Sequence, residues 1–305
     1  MDAFSPDLHT PCTTGVPACI ITYGLLAEEA AKSPVMHTKA HDEPRTLSDL
    51  VDSYQAGGRY VLLREDARSA LGISEEALKK AVQRLVARRR LAVPHRGFYV
   101  IVPIEYRDAG APPPSWFIDD LMKFLGQPYY LGLLSAAALH GAAHQQPQEF
   151  QIVTNPQLRL AVAGRARIRF FRKIHIERTP TIEVKTETGT MRVSTPEATA
   201  FDLFLYLKGA GHLGHVATVL AELAERLDAA RVVDVAKLEG HLPSAQRLGH
   251  VLDQIGAGEK AAGLASLIAD RGPRFVLLRS DRSAGRSTKD SRFRVIANEK
   301  VEAET

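Results

Sequence analysis

The chain has 305 residues, of which 45% are hydrophobic and 24% charged, with a formal net charge of +4. That apolar content supports about two globular cores and excludes a disordered chain, and the modest basic excess fits a nucleic-acid partner without requiring one. No run of about 18 apolar residues occurs, so no membrane-spanning helix is expected.

The charge is unevenly spread. Residues 79–96 hold seven Lys/Arg and no acid, residues 159–178 hold seven against Glu177 alone, and residues 271–294 hold eight against Asp281 and Asp290. Residues 1–45 are net acidic, with six acids and three bases. They have little periodicity beyond a short candidate helix at Ile20–Ala31, and read as a flexible N-terminal extension in which Met36 is an alternative start. Asp2 and Asp7, with no early basic cluster, do not make a secretion signal. Cys12 and Cys19 read as free thiols, so the expected compartment is the reducing cytoplasm.

Thr46 opens the first firm element, with Asp49 three residues on as in a capping box and Leu47, Leu50, Val51 and Tyr54 at helical spacing up to Gly57-Gly58. Tyr60–Leu63 reads as a short strand and Arg64–Leu71 as a helix stopped by Gly72. Ser74 is the N-cap of a longer helix whose first turn carries Glu75 and Glu76. Leu78, Ala81, Val82, Leu85 and Val86 form its buried stripe, which leaves Lys79, Lys80, Gln83, Arg84 and Arg90 on the opposite side. Leu91–Val93 and Phe98–Val102 flank the turn Pro94-His95-Arg96-Gly97 as a hairpin. Helix, break, basic helix and basic-tipped hairpin is the outline of a winged helix-turn-helix over residues 46–107, which places its second helix in the major groove of duplex DNA.

Within that outline Lys79, Lys80 and Arg84 suit backbone phosphates, Gln83 an adenine edge and Arg84 a guanine edge. His95 and Arg96 sit at the hairpin tip, Ser74 at the helix start, and Arg88 and Arg90 at its end. There the last two also favour the negative end of the helix dipole.

Ala111-Pro112-Pro113-Pro114 reads as a semi-rigid linker over 108–115. The second domain, 116–279, is expected to open with helices Trp116–Leu125 and Leu131–Ala142. Strand-like runs follow at Glu149–Thr154, Ile168–Phe171, Ile174–Glu177, Ile182–Thr186 and Met191–Val193. Thr195 then caps a helix with Pro196 at its first position, Glu197–Leu207. Helical patterns recur near His215–Arg226, Asp234–Leu238, Ser244–Ile255 and Glu259–Asp270, and Arg274–Arg279 is a last candidate strand. Residues 280–305 read as a basic disordered tail. The fold class is α+β.

Arg165, Arg167 and Arg169 alternate and form a candidate second basic surface, set against the plainer reading of a solvated sheet face. Tyr129-Tyr130 reads as core. His140 and His144 have i, i+4 spacing, but Gly141 breaks the helix between them; His212 and His215 flank a loop. Neither pair makes a convincing metal site, and no metal or cofactor is expected. Glu183-Val184-Lys185 has the acidic–x–Lys spacing of metal-dependent nucleases, with Asp119 or Asp120 as the upstream carboxylate such a site needs. Alternating strands produce such triplets by chance. Phosphate-binding Gly-rich loops and Gly-x-Ser-x-Gly elbows are absent. Asp202, in an apolar helix, reads as a buried acid satisfied by a neighbouring Arg or as part of a functional surface.

Four segments taken in order carry a resemblance. They are Gly97–Pro103, Pro128–Gly141, the run Val193-Ser194-Thr195-Pro196-Glu197-Ala198-Thr199-Ala200-Phe201-Asp202-Leu203, and Gln246-Arg247-Leu248-Gly249-His250-Val251-Leu252. Over about residues 46–270 the chain resembles AbiEi-type antitoxins, the regulator half of type IV toxin–antitoxin (abortive infection) systems. The resemblance implies an N-terminal module that binds repeats in its own promoter and represses the operon. It also implies a C-terminal domain that counters a nucleotidyltransferase-like toxin without forming a stable complex with it. The long N-terminal extension, the basic tail and Ala198, where the family often has Arg, depart from the pattern. The expectation is a DNA-binding autorepressor and antitoxin, not an enzyme and with no catalytic residue, phage defence being its context. The alternatives are a metal-dependent nuclease with a DNA-targeting domain, and a protein-binding adaptor.

Overall fold

In the computed structural model, residues 44–142 and 147–302 are described. Cys12, Cys19, the Ile20–Ala31 helix, Met36 and His144 lie outside them. The described residues belong to one compact unit that starts at Glu43.

The chain opens with helix α1 (Leu47–Ala56), strand β1 (Val61–Leu63), helices α2 (Arg64–Leu71) and α3 (Glu75–Ala87), and strands β2 (Leu91–His95) and β3 (Phe98–Ile101). The capping box forms: Thr46 Oγ1 accepts from the Asp49 amide at 3.2 Å while the Thr46 amide donates to Asp49 at 3.0 Å. Gly72 leaves α2 in the left-handed region, φ 58°, and Ser74 caps α3 by accepting from the Ala77 amide at 3.3 Å. The three strands form an antiparallel sheet of order β1-β3-β2. All of β3 is buried because its alternate faces meet different partners. Tyr99 and Ile101 pack with α1 and α3, while Phe98 and Val100 pack with Ile118, Leu121 and Met122 of the next helix.

That second contact changes the reading of residues 108–115. Instead of an open spacer, Ala111 and Pro112 are buried, the Arg165 amide donates to Ala109 O at 2.8 Å, and Gly110 abuts Gly164. A Cβ on Gly164 would sit 2.2 Å from Ala109 O, so this crossing requires glycine.

Helix α4 (Ile118–Phe124) is followed by β4 (Tyr129–Leu131), α5 (Leu133–Leu139), β5 (Phe150–Thr154), β6 (Ala161–Ala163), β7 (Ala166–Arg172), β8 (Thr181–Thr186) and β9 (Gly189–Ser194). These strands make one mixed sheet of order β6-β7-β5-β4-β9-β8. Pairing is parallel for β5/β7 and β4/β9 and antiparallel elsewhere. Two expectations are corrected here. Leu131–Ala142 is not one helix: β4 occupies its start, and Gly132 breaks it where a Cβ would come within 2.8 Å of Val153. Ile174–Glu177 is not a strand. No neighbouring strand pairs with it, Asn155 donates to Ile174 O at 2.9 Å instead, and the chain turns through a 3₁₀ segment at Ile176–Arg178.

Five helices follow: α6 (Pro196–Leu205), α7 (Leu213–Ala224), α8 (Ala229–Glu239), α9 (Leu242–Gln254) and α10 (Gly258–Arg271). Their apolar faces share one core, in which α6 is buried along eight consecutive residues from Glu197 to Phe204. The expected strand Arg274–Arg279 forms as β10 (Val276–Leu277), and the tail expected to be disordered, 280–305, adds β11 (Thr288–Asp290) and β12 (Val295–Ala297) to make a small sheet in the order β10-β12-β11. Phe293 and Val295 are fully buried in the helical core, so apolar residues spaced among the arginines anchor a stretch that composition alone reads as unfolded.

Candidate nucleic-acid interface

Helix α3 buries Leu78, Val82 and Leu85 against α1 and α2, which turns the residues between them outward. Val86, expected in the buried stripe, is 40% exposed. Lys79, Lys80, Gln83, Arg84 and Arg88 are all exposed. None of these four cations has an ion pair among the described residues, and neither does exposed Arg96 at the tip between β2 and β3.

A groove of about 490 Å³ runs between α3 and the hairpin, lined by Lys79, Gln83, Val93, Arg96 and Arg64. The structure therefore brings Lys79, Gln83 and Arg96 to one cleft. Lys80 and Arg84, one helical turn apart, lie outside its lining, and Arg88 is the C-cap of the helix. The sequence reading leaves out Arg64. It enters the groove from the start of α2, its amide donating to Gly97 O at 2.9 Å and its Nη1 to Glu75 at 3.2 Å. Glu75, the acid that lines the groove, is thus occupied by an internal partner. Tyr99 lies beneath, its hydroxyl pushed above the usual phenol range by burial against an opposing pull from Arg64.

Two expected positions are elsewhere. Arg90 turns back onto α1, where it donates to Ser48 at 2.7 Å and pairs with Asp52, so it holds helix ends together instead of facing the groove. The His95 ring packs edge-on against Phe124 of α4, 5.8 Å between centroids, with Phe98 on the same ring at 5.6 Å. This contact ties the hairpin tip to the next module. Ser74 serves as the cap described above.

The second basic surface is only partly formed. Arg165 precedes β7, in the turn from β6. Arg167 and Arg169 do share a strand face, but both close on Glu149, at 3.3 and 2.5 Å, and Glu149 is only 19% exposed. The two guanidiniums thus share one carboxylate within the fold.

No group of three or more His, Cys, Asp or Glu among the described residues is placed to hold a metal. Asp119 accepts from Tyr129 at 2.9 Å and from Lys123 at 2.6 Å. His140 Nε2 donates to Ser194 O, 2.8 Å away, inside the core.

Asp202 is the most enclosed acid, and its cation is Lys173, not an arginine. Lys173 Nζ lies 2.9 Å from Asp202, 2.7 Å from Glu239 and 3.1 Å from the Tyr130 hydroxyl, which itself donates to Asp202 at 2.8 Å. Burial pushes the Asp202 carboxyl above the usual carboxylate range although Lys173 pulls it down. The set links β4, the residue that follows β7, α6 and α8. The run from Gln246 to His250 is likewise structural. Gln246 donates to Arg274 O and Arg294 O, Arg247 to Leu277 O, and His250 meets Asp290 at 2.6 Å. These bonds clamp the C-terminal sheet onto α9.

The fold is thus a mixed α+β assembly in which a small helical and hairpin module is fused to a larger sheet and helix domain. Residues 130–254 match the family model of the AbiEi antitoxin C-terminal domain, so this part of the chain is similar to that domain. A crystal structure of the RV2827C protein from Mycobacterium tuberculosis is similar in fold, with a TM-score of 0.59 at 18% identity over 82% of this chain and 90% of that one. No curated protein sequence matches the chain. No helix among the described residues is long and apolar enough to cross a membrane.

Proposed function

We propose that residues 46–107 act as a winged helix-turn-helix that binds duplex DNA upstream of the chain's own gene, with α3 in the major groove and Arg96 of the wing on the backbone. The observation that carries this reading is a set of exposed cations without ion pairs among the described residues: Lys79 and Arg96 line a groove whose acid, Glu75, is already occupied, and Lys80, Arg84 and Arg88 stand on the same helix outside it. Cations held without internal partners release counterions when they meet phosphates, which gives salt-sensitive binding. In this reading the chain is the autorepressing antitoxin of a type IV system. It counters a nucleotidyltransferase-like toxin without a stable complex, works in the cytoplasm and catalyses nothing.

A gel-shift of the full chain on its upstream DNA, against scrambled competitor at about physiological salt, tests the reading. Specific binding is expected. The triple variant Lys79→Ala, Lys80→Ala, Arg84→Ala is expected to lose it, each phosphate contact removed lowering the salt slope by about 1. Unchanged binding by that variant would remove α3 from the interface.

A further inference from the structure

Among the described residues, strand β8 ends the six-stranded sheet and pairs only with β9. Its other edge therefore presents unpaired backbone donors and acceptors over Thr181–Thr186, an arrangement that proteins usually cover or block. Four of its six residues are exposed, and Ile182 is 44% exposed. Glu183 and Lys185 project from one face at the two-residue period of a strand. Neither forms a hydrogen bond or ion pair among the described residues, although Glu183 stands across from Arg192 in the ladder.

We propose that this edge joins two copies of the chain. The β8 strands would run antiparallel, with Val184 on the two-fold axis and Glu183 of each copy opposite the partner's Lys185. Symmetry and pleating select this register. A two-fold axis perpendicular to the sheet keeps each side chain on its own face, so only a residue, never the gap between two residues, can lie on the axis. Centring on Glu183 would set Glu183 against its own copy. Centring on Lys185 would set Lys185 against itself and Glu183 against the partner's Glu187. Glu187 lies in the turn beyond β8, so among registers that pair residues of β8 with one another only the Val184 register opposes unlike charges, and it does so twice. The same register sets Ile182 beside the partner's Thr186. Six residues a side cover far less than the roughly 800 Å² per partner of stable complexes, so the association is weak and concentration-dependent. The segment that carries the acidic–x–Lys spacing thereby gains a role that needs neither metal nor catalysis, and that stands apart from the DNA reading.

Sedimentation equilibrium of the full chain without DNA, up to about 200 µM at about physiological salt, tests this. A monomer–dimer equilibrium is expected for the native chain. Glu183→Lys or Lys185→Glu alone turns two attractive pairs into two repulsive ones and should weaken it about tenfold or more, while the double exchange restores it. A water-soluble carbodiimide provides the second readout. It activates a carboxylate, an amine in contact displaces it, and the carboxyl oxygen leaves as the urea. Mass spectrometry of the cross-linked dimer should find a Glu183–Lys185 amide. A native chain that stays monomeric, single reversals that leave association unchanged, or a cross-linked dimer joined elsewhere would each overturn the proposal.

Discussion

Replacing Lys173 with methionine keeps the volume of the side chain and removes its charge. In the native protein the ammonium lies within 3.1 Å of three oxygens, on Glu239, Asp202 and Tyr130. The side chains of Lys173, Asp202 and Glu239 are 7, 0 and 5% exposed. Removing one partner from a buried ion pair costs about 3–5 kcal/mol, because the remaining charges are left without water or a counter-charge. At about 2–4 °C per kcal/mol for a unit of this size, Lys173→Met should lower the melting temperature by roughly 6–20 °C at neutral pH. The pH dependence has a definite sign. Burial raises the Asp202 carboxyl in the folded protein. The folded state therefore holds this proton more firmly than the unfolded chain does. The stability from Asp202 is full below the ordinary carboxylate value and is lost as pH rises through the folded one. Without Lys173 the carboxyl moves higher still, so the deficit of the variant should shrink as the pH falls. Urea titrations of both proteins across the acid range measure this. A neutral-pH loss below about 1 kcal/mol, or a loss that does not change with pH, would refute the account. Adding Asp202→Asn and Glu239→Gln should recover much of it, since the network then carries no unpaired charge.

Other variants probe the two surprises of the fold. Phe293→Ala empties a fully buried site in the helical core and should cost about 3–5 kcal/mol in chemical denaturation, whereas a disordered tail would make it silent. Gly249→Ala places a Cβ 2.4 Å from the Phe293 ring and should cost about 1–3 kcal/mol, read as a lower melting temperature. Arg90→Ala breaks the bonds to Ser48 and Asp52 and should cost about 1 kcal/mol in the same assay. It should leave the salt slope of DNA binding where it was, in contrast to Lys79→Ala.

The N-terminal module was the most legible part of the sequence. Its signals are local: Thr46 and Ser74 as caps, Gly72 as a stop, and a stripe through Leu78, Val82 and Leu85. Most helices of the second domain follow for the same reason, with errors of a few residues at their ends. Strand pairing was harder to read. Tyr129–Leu131 joins a helical-looking run but is held by β5 and β9, which lie more than twenty and sixty residues away in register. The tail shows the limit of composition. Its arginines suggest solvent, while two strands form there and Phe293 and Val295 belong to the interior.

The candidate interface divides in the same way. That α3 is basic and outward-facing can be counted along the chain, because helical periodicity fixes which side chains share a face. Which cations remain free cannot be counted. Arg90 is drawn to Asp52 and Arg167 and Arg169 to Glu149, while Lys79 and Arg96 stay unpaired. Charge acts through space, so the partners of each arginine depend on acids that only chain folding brings near. The sequence by itself determined the helices, their caps and the family pattern. Tertiary structure alone decided that the hairpin would be packed on both faces, that Asp202 would hold a lysine, and that the basic tail would close the core. These features rest on long-range contacts between side chains whose local sequence carries no sign of them.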